Sequence, residues 1–133
     1  IGNAIAKYAL EDRVSLKGPK FDEELDAAFR EADLAIGSLG RHRSGITTIK
    51  TLKNREYAAR GFRFIYSEND PDFDTMPYVC RFPADESPID IDRLLEFFDS
   101  PAPDPSEIRE TIMHLSWKAQ MHIVIEEMSG KPA

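Results

Sequence analysis

Two side chains one helical turn apart open the chemical reading. Lys53 and Glu56 belong to a stretch in which Ile49, Lys53, Glu56 and Arg60 recur at spacings of 4, 3 and 4, which places all four on one helix face. A cation there can meet an anion, and a carboxylate such as Glu56 can accept two hydrogen bonds from the vicinal hydroxyls of a ribose. The same residues also suit a plain solvated face, on which a Lys53/Glu56 pair contributes about 0.2–0.5 kcal/mol. The loop ahead of this helix, Gly40 to Thr48, adds Arg41, His42 and Arg43. A helix start carries unpaired amides and the positive end of the helix dipole. Arg41, Arg43 and Lys53 around it would therefore favour a phosphate or carboxylate.

The elements that must position these residues follow from hydrophobic period. The helix is expected from about Ile49 to Arg60, stopping at Gly61. Ahead of it, Leu34 to Leu39 is a nearly continuous apolar run, as in a parallel strand buried on both faces. Behind it, Phe62 to Ser67 predicts a strand, then an acidic loop runs to Pro77, and Tyr78 to Phe82 predicts another strand. Upstream, a short helix over Ala4 to Leu10 is followed by a strand-like alternation at Arg13 to Lys17, halted by Gly18-Pro19. A helix from Phe21 to Ala32 comes next, with Asp22, Glu23 and Glu24 at its amino end. Downstream, a helix over Ile89 to Phe98 and a Pro-rich spacer lead into a long helix from Ser106 to Met128. This alternation predicts one three-layer α/β unit over residues 1–133, built on a mainly parallel sheet. Ligands in such sheets sit beyond the carboxyl ends of strands, so a site is expected in the loops after Lys17, Leu39 and Ser67.

Composition narrows the classes. Against 24 acidic residues stand 17 basic ones, a formal charge of -7, with no basic tract to follow a phosphate backbone, which speaks against nucleic acid. Cys80 is the only cysteine, so there is no disulfide framework or cysteine zinc site, and a reducing, cytoplasmic setting is expected. No apolar run reaches the roughly 18 residues of a membrane span. The opening Ile1-Gly2-Asn3-Ala4, without Met, reads as a piece of a longer chain. The run Asp70-Pro71-Asp72-Phe73-Asp74 suggests a calcium loop, but counting from Asp70 puts Thr75 and Arg81 where Gly and Glu are required. It is expected to be a solvated acidic loop. His42 is read as an exposed loop residue, and His114 and His122, eight apart, lack a third ligand, so no metal site is expected. Met113, Trp117 and Met121 are read as packing anchors and Cys80 as core.

Three segments occur in one order and spacing: Ala32 to Ser38, then Leu52-Lys53-Asn54-Arg55-Glu56-Tyr57-Ala58-Ala59-Arg60-Gly61, then Phe64-Ile65-Tyr66. Together with Ser116-Trp117-Lys118 in the terminal helix, they resemble the carboxyl-terminal, donor-binding domain of bacterial retaining glycosyltransferases of the GT-B fold, which have two Rossmann-like domains. The resemblance implies transfer of a sugar, of hexosyltransferase type, from a UDP-, GDP- or ADP-sugar to a glycan or lipid-linked acceptor, with no cofactor and no obligatory metal. It makes Glu56 the ribose-binding glutamate and Ser38 part of the "AD-hydrophobic-strand-S" element. Lys17 and Gly18 match the turn that meets the nucleobase. The family's first glutamate should stand eight positions before Glu56, where this chain has Thr48, and Arg63 stands where the family commonly has proline. The family's main diphosphate-gripping Arg/Lys pair and its acceptor domain lie outside the chain, which is expected to be inactive alone, and the resemblance assigns no catalytic residue. The full-length protein is expected in surface polysaccharide synthesis, with peripheral membrane association. The rival readings are a non-catalytic α/β interaction domain and a fragment of a sugar-nucleotide epimerase of similar architecture.

Overall fold

The structure is a computed structural model and describes residues 2–130, so Ile1 lies outside it. The chain divides into two compact units, Ile1–Ala32 and Asp33–Ala133. The first contains helices α1 (Gly2–Lys7) and α2 (Asp22–Arg30). α2 starts on Asp22, Glu23 and Glu24 and ends on Arg30, so charge complements its dipole at both ends. Turn and irregular chain occupy residues 11–21, and the strand expected over Arg13–Lys17 does not form. An alternating stretch needs a neighbouring strand for its amides, and Gly18, at φ 69°, turns the backbone away from strand geometry. Lys17 pairs instead with Glu31 at 3.1 Å, in an exposed contact within this unit.

The second unit is mixed α/β. Its open parallel sheet has the order β1 (Ala35–Ile36), β2 (Phe64–Tyr66) and β3 (Val79–Arg81). Ala35 lies opposite Phe64, and Ile65 lies opposite Cys80. All three residues of β2 are buried, as a central strand with both faces covered requires. Phe64 and Tyr66 point into a core with Ala58, Phe73, Tyr78 and Ile108. Ile65 points the other way, to Cys80 and Phe82, where Leu94 and Phe97 pack. The helices supplying these contacts are α3 (Leu52–Ala59) and α5 (Pro105–Thr111) on the first face and α4 (Ile91–Asp99) on the second.

Several helix boundaries depart from the sequence reading, α1 ending at Lys7 rather than Leu10 among them, and two of these departures have a clear local cause. α3 begins at Leu52 because Ile46-Thr47-Thr48-Ile49 is β-branched and extended: Asn69 donates to the Thr47 carbonyl at 2.8 Å and accepts from the Ile49 amide at 3.0 Å. Thr51 then caps the helix, its hydroxyl accepting from the Asn54 amide at 3.2 Å. The single helix expected over Ser106–Met128 is broken into α5, a 3-10 turn at Met113–Leu115, and α6 (Trp117–Met128). The break falls at Ser116, whose extended backbone (ψ 148°) and hydroxyl, accepting from the Ala119 amide, start a new helix. α6 buries no residue, and Trp117 is 84% exposed, so the expected packing anchor does not pack within the described residues. Among those residues no helix is long and apolar enough to cross a membrane.

Candidate functional site

The carboxyl ends of β1 and β2 and the amino end of α3 meet at one place. Gly37 follows β1, and its amide donates to the Ile65 carbonyl at 2.7 Å. A Cβ at Gly37 would come within 3.0 Å of both Asn54 Oδ1 and Tyr66 Cβ, so only glycine lets α3 approach the sheet this closely. Tyr57 of α3 closes the contact by donating to the Ile36 carbonyl at 3.0 Å. Burial, then the neighbouring Glu56 charge, raise the Tyr57 phenol above its ordinary value, so it stays a donor.

This packing leaves a cleft of about 310 Å³ lined by Ser38, Arg41, Ile49, Thr51, Leu52 and Lys53. Arg41 belongs to a 3-10 turn, Arg41–Ser44, and its Nε donates to Ser38 Oγ at 3.2 Å. Arg41, Lys53 and the first amides of α3 thus present positive potential to one open space, the arrangement that holds phosphate or carboxylate groups.

Other expected site residues lie elsewhere. Arg43 is not free for a ligand: its Nε donates to Glu86 at 2.8 Å, and His42 Nε2 meets the same carboxylate at 2.9 Å. His42 is correspondingly half-buried, its side chain 16% exposed, rather than an exposed loop residue. Glu56 does not line the Ser38–Lys53 cleft, and it pairs with Arg60 at 3.2 Å rather than with Lys53. It faces a neighbouring, mostly apolar cleft of about 490 Å³ with Arg109, Ile112 and Trp117. Leu52 borders both clefts. Thr48 is exposed on the segment bridged to Asn69, directly before the cleft residue Ile49. Lys17 and Gly18 belong to the other compact unit.

The acidic run after β2 is an ionic staple with a buried end at Asp70, a half-buried Asp72 and an exposed Asp74, rather than a wholly solvated loop. Asp70 has no exposed side-chain surface and accepts from Arg55 and from Asn54 Nδ2 at 3.2 Å. Asp72 receives Arg55 and Lys50, and Asp74 accepts from the Tyr66 hydroxyl at 2.7 Å. Asp70 and Asp72 with their cations hold the loop onto α3 and the segment before it, while Asp74 ties it to the sheet through Tyr66 and, at 3.3 Å, Arg81 of β3; among the described residues no group of three or more His, Cys, Asp or Glu could hold a metal. Glu68, also buried, has no partner for either oxygen among the described residues, an energetically costly arrangement at the sheet's carboxyl edge. Glu86 escaped the sequence reading, although the rule that pointed to loops after strands applies equally to the loop after β3.

No family model, curated protein or solved structure matches the chain.

Proposed function

We propose that this chain is the donor-binding half of a retaining glycosyltransferase and that the cleft at the amino end of α3 receives the diphosphate of a nucleoside-diphosphate sugar. The observation that carries this reading is the convergence of Ser38, Arg41 and Lys53 on one cleft where β1 ends and α3 begins. The parallel sheet with helices on both faces supports assigning it to a Rossmann-like domain, whose ligands bind at this edge. During transfer the bond between sugar and diphosphate breaks and negative charge grows on the departing phosphate. Arg41, Lys53 and the helix dipole stabilise that charge more than they stabilise the intact donor, which lowers the barrier. Glu56 lies one turn further along α3 in the neighbouring cleft, across Leu52, and would accept the ribose hydroxyls from there. Its present partner Arg60 is an i,i+4 contact worth about 0.3–0.5 kcal/mol and is cheaply released. The Thr48 hydroxyl replaces a carboxylate near the sugar, and the acceptor is held by a second domain outside this chain.

Calorimetric titration of UDP, GDP and ADP into the full-length protein tests the reading. One of the three is expected to bind, and Lys53→Ala to weaken it about tenfold, the loss of a charge-assisted contact. Failure of all three would end it. The interaction-domain reading has one observation in its favour, the exposed Trp117, Met121, Val124, Ile125 and Met128 of α6. It would prevail if a protein partner bound where no nucleotide did.

A further inference from the structure

The turn that carries Arg41 makes only local backbone bonds. Arg43 donates to the Gly40 carbonyl at 3.3 Å, Gly45 to His42 at 2.9 Å and Ile46 to Arg41 at 3.2 Å, and Gly45 ends the turn at φ 71°. Among the described residues, the hydrogen bonds that leave the turn are side-chain bonds. One is Arg41 to Ser38; the others all end on Glu86, 43 residues beyond Arg43 and on the loop after β3. Arg43 grips both carboxylate oxygens, Nε to Oε1 at 2.8 Å and Nη2 to Oε2 at 2.5 Å, while His42 Nε2 lies 2.9 Å from Oε1.

We propose that Glu86 is a positioning residue for the cleft: by clamping His42 and Arg43 it fixes the Arg41–Ser44 turn, so that Arg41 stands where a diphosphate binds. The proposal rests on the reading of the cleft as a diphosphate site. A forked guanidinium on a carboxylate fixes orientation as well as distance, and a second donor on the same carboxylate removes the remaining freedom. The clamp's far end is itself anchored. Asp85 accepts from the Ser87 amide at 2.8 Å, and Ile89, three residues past Glu86, packs on the Ile65, Cys80 and Phe82 cluster. An exposed pair of this kind does little for global stability: the Arg43 and Glu86 side chains are 69% and 65% exposed. Its consequence is local. Without the clamp a four-residue turn with no backbone bond to the sheet samples many conformations, and ordering Arg41 on a ligand then costs conformational entropy at the moment of binding.

The test compares wild type, Glu86→Ala and the charge swap Arg43→Glu/Glu86→Arg in the full-length protein, with inorganic pyrophosphate as the probe. The swap keeps the net charge and so separates the clamp from simple removal of a negative group. Glu86→Ala is expected to speed amide hydrogen exchange across residues 41–45 and to weaken pyrophosphate binding roughly tenfold. The melting temperature should move little, and the swap should recover part of both losses. Unchanged exchange at 41–45, or pyrophosphate binding that is equal or tighter in Glu86→Ala, overturns the role of Glu86 while leaving the cleft reading intact. A wild-type protein that binds no pyrophosphate overturns the cleft reading, and the role of Glu86 falls with it.

Discussion

Arg55 holds Asp70 through two hydrogen bonds, Nη1 to Oδ2 at 3.2 Å and Nη2 to Oδ1 at 3.5 Å, and the Asp70 side chain has no exposed surface. The pair joins the middle of α3 to the loop after β2, and the Arg55 guanidinium also lies 5.4 Å from the Phe73 ring centre. Removing one partner of a buried pair leaves the other charge without compensation. Arg55→Met is therefore expected to cost about 3 kcal/mol in urea unfolding. Arg55→Met combined with Asp70→Leu should recover much of that loss. A single variant as stable as wild type would show that the pair is not coupled to folding.

Acid stability isolates the Glu86 clamp. The hydrogen bonds from Arg43, and then those from His42, hold the Glu86 carboxyl at about 2, down from 4.5. A carboxyl held below its unfolded value stabilises the fold fully above about 4.5, and that contribution disappears as pH falls through about 2. The urea midpoint of wild type should exceed that of Glu86→Gln by a small gap at neutral pH, closing between these limits. A gap that persists at still lower pH would contradict the clamp.

Part of this architecture was legible in the sequence, and the reasons differ by element. Phe64–Tyr66 is aromatic and β-branched, and Val79–Arg81 lies inside the Tyr78 to Phe82 run with its two aromatic ends, so both read as strands and form them. Arg13–Lys17 has the alternation of a strand, but strand formation depends on a partner, and period alone does not supply one. The terminal helix read as continuous because Ser116 resembles any interior polar residue until its hydroxyl is seen capping α6. That Arg41 and Lys53 come near one cleft was legible because they flank a helix start. The Arg43 pairing with Glu86 was not legible, because a loop arginine gives no sign of a carboxylate 43 positions away. The acidic run looked solvated for the same reason: its cations, Lys50 and Arg55, lie on a different segment.

The only tryptophan reports on α6 directly. Trp117 is 84% exposed, so its fluorescence should already be solvent-like in the folded chain, be strongly quenched by acrylamide, and shift little on unfolding. A blue-shifted, protected emission would mean that something covers this residue in solution.

The central claim is that phosphate oxygens sit at the amino end of α3, and amide chemical-shift mapping addresses it residue by residue. Saturating the full-length protein with whichever nucleoside diphosphate binds should move the amides of Ser38 to Arg41 and Thr51 to Lys53 most, with a second, smaller set near Glu56. Shifts confined to α6 or the Arg109 region, with Thr51 to Lys53 unmoved, would contradict the account.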